Sequence, residues 1–491
     1  MSSHVTETRP LIHEKIFKVG KNAFWIGVAI QVLLVTLLFL LPDPVIFVGL
    51  VLTLVVGALI LLEPRVSLLA IAFITFALHP DFTGKQFVVK ILGVNWYAMD
   101  WILLFTALSW CIHVALGRQR RMHTTKVTVP MVLFLVMLCV GVGVGLKNGH
   151  SPQDVFADLR LFFYYTAFFV ALAFIRGQRD VELIFWATIV CGMVGAIPEI
   201  IGSLSESGRD LLTGQRLFFT RITGPHEVNY PMLLVASITM FPFVESLAKK
   251  TLIAGCVATS SLALLLGYTR GSWLAALAAL VILLILFLRY TNILRRRFVA
   301  ITFSVLGALT VFVILDFFGV FTVENLTVRA TAVVSAKQLD ISTLQRITEL
   351  ERAIEIFRGS PVLGEGLGLV YRFYAIGVGE RSQLWLHNSY LYVLSKMGAA
   401  GLLSFLMLLG SAVLIPIRHL KQLPLGTGMG LLMAFSGMLF VLMVKSLTTW
   451  HLNTLTNSLF VGVILGVIAS ARSWIKNTSN HESSDNYGYE R

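Results

Sequence analysis

The chain has 491 residues, 56% hydrophobic and only 13% charged, with a mean hydropathy of +0.81. Soluble domains carry roughly 25% charged residues, so a soluble enzyme is excluded and an all-α polytopic integral membrane protein of about 12–14 transmembrane helices is expected. The formal net charge of +13 is spread over short loops between apolar runs, a distribution that orients a membrane protein and gives no reason to expect a nucleic-acid partner.

The first 22 residues carry Arg9, Lys15, Lys18 and Lys21 with no small-residue cleavage site after the next apolar run, and they read as a cytoplasmic tail. A membrane-crossing helix needs about 20 mostly apolar residues. Fourteen runs meet that need, near 24–41, 45–62, 66–79, 97–116, 128–146, 159–175, 181–201, 228–247, 250–267, 272–289, 299–320, 389–416, 429–447 and 454–470. With the N-terminus cytoplasmic, the inner segments hold 22 of the 39 Lys and Arg, including the clusters Arg118/Arg120/Arg121/Lys126 and Arg289/Arg295/Arg296/Arg297. The expected layout is a cytoplasmic tail over 1–22, eleven helices over 23–320, a large periplasmic loop with short helices over 321–388, three helices over 389–470, and a cytoplasmic tail over 471–491. Cys111, Cys139, Cys191 and Cys256 all fall inside apolar runs, which predicts neither disulfides nor a metal site.

Three polar stretches, 80–96, 202–227 and 321–388, share the outer side. The longest contains one helix signal: Ser342 or Thr343 as cap, Glu349 and Glu351 after it, and Leu344, Ile347, Leu350, Ile354 and Phe357 at helical spacing. Gly359-Ser360-Pro361 should stop it near Arg358. Gly364-Glu365-Gly366-Leu367-Gly368 follows as a flexible turn; no strand precedes it and no P-loop lysine follows, so it is not a nucleotide loop. His387-Asn388 then opens the apolar run to Leu402, with Gly398 and Gly401 as a small-residue face for close helix packing.

Arginine near hydrocarbon is costly and usually marks function or a partner, and its guanidinium fork fits phosphate oxygens. Arg221 precedes a membrane helix, Arg270 lies in the short turn Thr269–Ser272, and Arg346 sits in the first turn of the outer helix. Together with His387, these could bind an anionic, phosphorylated headgroup at the outer face. Three have a structural alternative: Arg221 as an interfacial loop residue, Arg346 paired with Glu349 or Glu351, and His387 as an interfacial histidine beside a packing motif; Arg270 is harder to explain structurally. His226 with Glu227 is a weak acid/base pair; Glu199 and Asp316 are equally weak as proton relays, and Lys396 and Lys445 should snorkel or pair.

The pattern resembles the O-antigen ligase and O-antigen polymerase superfamily, membrane glycosyltransferases of bacterial surface-glycan assembly. The ligase signature, His, then Asn/Ser/Gln, nine residues and Gly-x-x-Gly, reads here as His387, Asn388, Ser389–Met397 and Gly398-Ala-Ala-Gly401. Similar elements are Arg221-Ile-Thr-Gly224, Thr269-Arg270-Gly271-Ser272, and Arg346 followed by Pro361-Val-Leu-Gly364-Glu-Gly366-Leu-Gly368. Four elements in order cover about 220–410. One departure is Leu350, where many members have Trp four residues after the helix arginine.

The resemblance implies transfer or polymerisation of a glycan from an undecaprenyl-diphosphate donor at the periplasmic face of the inner membrane. The acceptor would be lipid A-core or a growing polysaccharide. It implies that Arg221, Arg270 and Arg346 hold the diphosphate, with Asn388 beside them, and that His387 activates the acceptor hydroxyl; imidazoles titrate near 6.5 and suit that role. No cofactor or metal is expected, arginine standing in for a divalent cation. A transporter or flippase of a lipid-linked or anionic solute is the alternative, disfavoured because the arginines and His387 crowd one face rather than the bilayer midplane.

Overall fold

The computed structural model describes residues 55–78, 88–91, 94–117, 124–205, 222, 225–267, 269–290, 341–375, 379–419 and 426–474. The expected helices 24–41 and 299–320, Asp316, the N-terminal tail and the C-terminal tail beyond residue 474 lie outside the described residues, as does most of 45–62, whose last eight residues are helical. In chain order come α1 (Val66–Phe76), the hairpin β1 (Val88–Ile91) and β2 (Val94–Tyr97), α2 (Ala98–Ala115), α3 (Thr128–Lys147), α4 (Pro152–Phe163) and α5 (Ala167–Phe174). Then follow α6 (Gln178–Ser205), α7 (Asn229–Met240), α8 (Leu247–Gly267), α9 (Arg270–Tyr290), α10 (Ile341–Gly359), the hairpin β3 (Tyr371–Ala375) and β4 (Gly379–Gln383), α11 (Ser389–His419), α12 (Thr427–Lys445) and α13 (Leu455–Ala469).

Among the described residues, α2, α3, α4 with α5, α6, α8, α11 and α12 are long and apolar enough to cross a membrane, and α1, α7, α9 and α13 are shorter apolar helices. The chain is an all-α polytopic membrane protein, its described strands confined to two antiparallel hairpins. Those hairpins, within the polar stretches 80–96 and 321–388, were not expected from sequence, which predicted only short helices in the longer stretch.

The bundle is layered by burial. α7, α12 and α13 are buried along nearly their whole length, with α7 packed on α8, α9 and α12. α2 and α3 expose Leu104, Leu108, Val129 and Val132 on their outer faces. Lipid tails are as apolar as these side chains, so nothing drives them inward. Helices at the centre and helices at the rim therefore read alike in sequence.

Close helix contact occurs where glycine meets alanine. A Cβ on Gly462 or Gly466 of α13 would stand 2.9 or 2.4 Å from the Cβ of Ala167 or Ala171 of α5. This G-x-x-x-G face lets the two backbones approach. The role expected of Gly398 and Gly401 differs. Gly398 has φ +65° and ψ −167° and breaks α11 in two. A Cβ there would meet Val362 O at 2.3 Å, backbone of a loop rather than of another helix. A Cβ on Gly401 would meet Met397 Cβ, four residues back in its own chain, at 2.1 Å. Gly398 thus meets the loop after α10, and Gly401 the residues just before the break.

Candidate functional site

The break in α11 is filled by the glycine-rich turn after α10. Interrupting a helix strands backbone donors and acceptors, and in a membrane bundle they must find partners. Here the turn supplies them: Glu365 N donates to Ser395 O at 3.0 Å and Gly366 N to Lys396 O at 2.9 Å, while Ala399 N donates to Pro361 O at 2.9 Å and Ala400 N to Val362 O at 3.2 Å. On its other side the turn reaches α3, where Leu367 N donates to Gly141 O at 2.9 Å and Asn148 Nδ2 donates to Glu365 O at 3.0 Å. Gly366 has φ +90°, and a Cβ on it would lie 2.1 Å from Gly145 N. The sequence reading of a free flexible turn gives way to a plug wedged between two helices.

The plug fixes the C-terminal end of α10, and α10 carries Glu349. Its side chain is 4% exposed and faces His387, which is 27% exposed. Glu349 Oε2 accepts His387 N at 2.8 Å, and Nδ1 of the same residue lies 2.9 and 3.0 Å from the two carboxylate oxygens. Gln345 and Gln383 donate to Oε1 at 3.1 and 3.2 Å. Burial opposes ionisation of Glu349, but the hydrogen bonds and charge of His387, with Gln345, outweigh it and hold the carboxyl below its ordinary value. An ionised carboxylate only accepts, so Nδ1 is the nitrogen that carries a proton, and the lone pair of a neutral ring would then lie on Nε2. That is the tautomer a general base needs.

His387 lines a pocket of about 210 Å³ with Arg346, Ile347, Leu350, Asn388, Leu391, Leu447 and Thr448. Trp385 stands edge-on to His387 with ring centres 4.9 Å apart and stacks on Trp450 at 4.2 Å. The structure thus brings together three of the predicted residues, His387, Asn388 and Arg346. Arg346 is exposed and makes no ion pair with Glu349 or Glu351, the partners its structural alternative required. Asn388 also caps a helix: its Oδ1 accepts Tyr390 N at 2.9 Å and Leu391 N at 3.0 Å at the start of α11, and its Nδ2 donates to Leu447 O at 2.9 Å.

Arg270 is the first residue of α9. Its neighbour Gly271 packs on the pocket wall, since a Cβ there would be 2.8 Å from Thr448 Oγ1. Arg221 lies outside the described residues; Ile222 beside it donates its N–H to Leu266 O at 3.3 Å, near the end of α8. The two buried lysines pair. Lys396 Nζ meets Asp158 Oδ2 at 2.5 Å and Lys445 Nζ meets Glu227 Oε1 at 2.5 Å. Glu199 accepts a short hydrogen bond from the Tyr230 hydroxyl. Among the described residues no three His, Cys, Asp or Glu side chains gather to hold a metal ion.

The apolar spacing of α10 does not mark its buried face: Ile347 and Leu350 are 37% and 40% exposed and line the pocket, whereas Glu349 and Ala353 are buried.

Residues 255–406 match the model of a family described as O-Antigen ligase. The matched span contains Arg270, Arg346, Glu349, His387 and the break at Gly398, and it supports the O-antigen ligase and polymerase superfamily. A comparison with curated proteins returns no match.

Proposed function

We propose, taking as premise the O-antigen ligase domain that spans 255–406, that this membrane glycan-transferring enzyme uses His387 and Glu349 as a base and its orienting partner. The donor is a glycan on undecaprenyl diphosphate, presented at the periplasmic face of the inner membrane with both chain termini cytoplasmic. The acceptor is lipid A-core or a growing polysaccharide. One observation carries the reading: a buried carboxylate holds Nδ1 of a partly exposed histidine, in a pocket that an exposed arginine also lines.

The chemistry balances within this set. An acceptor hydroxyl oxygen attacks the anomeric carbon, and the bond from that carbon to the diphosphate oxygen breaks. The hydroxyl proton passes to Nε2 of His387, and Glu349 stabilises the imidazolium across its 2.9 Å contact. Charge gathers on the departing diphosphate. Arg346 in the pocket, Arg270 beside its wall and Arg221 meet that charge with fixed cations, which stabilise the transition state more than the ground state. Ile347 and Leu350 give the pocket an apolar side suited to a lipid-borne substrate.

The test is transfer by the purified protein in detergent with EDTA, from an undecaprenyl-diphosphate glycan, offered lipid A-core or donor alone. Product on lipid A-core identifies a ligase, and chain growth from donor alone a polymerase. His387→Ala and Glu349→Gln should each lower turnover, by about 10²–10⁴-fold for loss of a general base. Full activity in His387→Ala protein, or donor binding with no product in either reaction, overturns the assignment.

A further inference from the structure

A second buried carboxylate lies behind the pocket wall. Glu227 sits in the 3-10 turn Pro225–Val228 that leads into α7. Its Oε1 accepts from Lys445 Nζ at 2.5 Å and from Ser272 Oγ at 2.9 Å. Lys445 ends α12 with its side chain fully buried, and Ser272, two residues after Arg270, is fully buried in the first turn of α9. Residues just beyond Lys445, Leu447 and Thr448, form part of the pocket wall. The tie is close as well as charged. A Cβ on Gly271 would stand 2.8 Å from Thr448 Oγ1 and 3.3 Å from Lys445 Nζ.

Desolvating two charges costs about as much as their attraction returns. Such a pair is therefore explained better by what it holds in place than by stability alone. What it holds is the start of α9, clamped between the turn before α7 and the end of α12. Another buried ion pair among the described residues, Asp158 with Lys396, sits between α4 and α11 and is tied to Gly368, Tyr392 and Leu384.

We infer that Glu227 and Lys445 are positioning residues for Arg270, fixing the backbone from which that arginine acts on an anionic leaving group. The inference rests on the proposed function, because it requires a diphosphate in the pocket. Glu227 and Lys445 touch neither substrate nor the reacting atoms. Their effect reaches the reaction through Ser272, Gly271 and Thr448.

The experiment measures the Kd of the full-length protein in detergent for glycan-free undecaprenyl diphosphate, together with KM and kcat for the glycan donor. Glu227→Gln should raise Kd and donor KM about tenfold, within the range of coupled neighbours. In an Arg270→Ala background the same substitution should change Kd by less than about twofold, because its route of action is gone. Ser272→Ala removes one hydrogen bond and leaves the ion pair, so it should shift Kd in the same direction by less. It also provides the measurement if Glu227→Gln protein does not insert. Wild-type Kd in both variants, or an undiminished effect in the Arg270→Ala background, overturns the inference while leaving the proposed function intact. Failure of the wild type to bind undecaprenyl diphosphate at all refutes the proposed function itself.

Discussion

Replacing Gly398 with alanine strikes the join between α11 and the plug. The backbone at φ +65° and ψ −167° lies where only glycine is at ease, and holding a side chain there costs about 1–3 kcal/mol. Its Cβ would also overlap Val362 O at 2.3 Å, Val362 C at 2.4 Å and Gly364 N at 2.6 Å. These are backbone atoms, so relief requires the plug to withdraw. Withdrawal gives up the four hydrogen bonds to residues 395, 396, 399 and 400, about 4 kcal/mol at a net ~1 kcal/mol each. The expected destabilisation is about 3–5 kcal/mol, a large share of the roughly 5–15 kcal/mol that keeps a domain folded. Thermal unfolding of the purified protein in detergent, followed by tryptophan fluorescence, measures it, since Trp385 and Trp450 stack beside the pocket. Gly410, in the same helix with nothing within 4 Å of its would-be Cβ, is the control; alanine there should be neutral or stabilise by up to about 1 kcal/mol. A Gly398→Ala protein that melts with the wild type and keeps residues 361–368 protected from protease would refute the reasoning.

Two further outcomes follow from the same contacts. Lys396→Met leaves Asp158 buried with only the Tyr392 hydroxyl and Gly368 N as partners; it should cost about 3–5 kcal/mol, and adding Asp158→Asn should recover part of the loss, both read as melting temperatures. The carboxyl of Glu349 is held below its ordinary value, so its ionisation adds stability above the unfolded pKa of about 4.3, and that increment is lost as pH falls through the lower folded value. The melting-temperature gap between wild type and Glu349→Gln should therefore close on acidification below about pH 4.3; a gap that widens there contradicts the assignment.

Much of the architecture was legible in the sequence because apolar runs of membrane length have few other uses. The run 128–146 became α3 over Thr128–Lys147, and 429–447 became α12 over Thr427–Lys445. Hydropathy was blind to interruptions. The run 159–175 is split by a 3-10 turn at Tyr164–Thr166, and α11 is broken at Gly398, because a break whose backbone groups are satisfied elsewhere leaves composition unchanged. Motif spacing singled out His387 and Arg346, which line one pocket. The partner Glu349 lies 38 residues away from His387, and only packing reveals that its carboxylate turns inward. The same holds for Lys445 and Glu227, which are 218 residues apart.

The plug also constrains the order of assembly. Residues 361–368 emerge before α11 is made, yet their partners Ser395, Lys396, Ala399 and Ala400 come later in translation. As a broken helix, α11 has no satisfied backbone state in hydrocarbon until the plug meets it; until then its groups can pair only as an uninterrupted helix. Breaking the helix and docking the plug are thus a single event. That event sets the C-terminal end of α10, and so brings Glu349 to His387. The contact between Glu349 and His387 is thus tied to plug docking, and a newly inserted chain carries both residues before the plug brings them together.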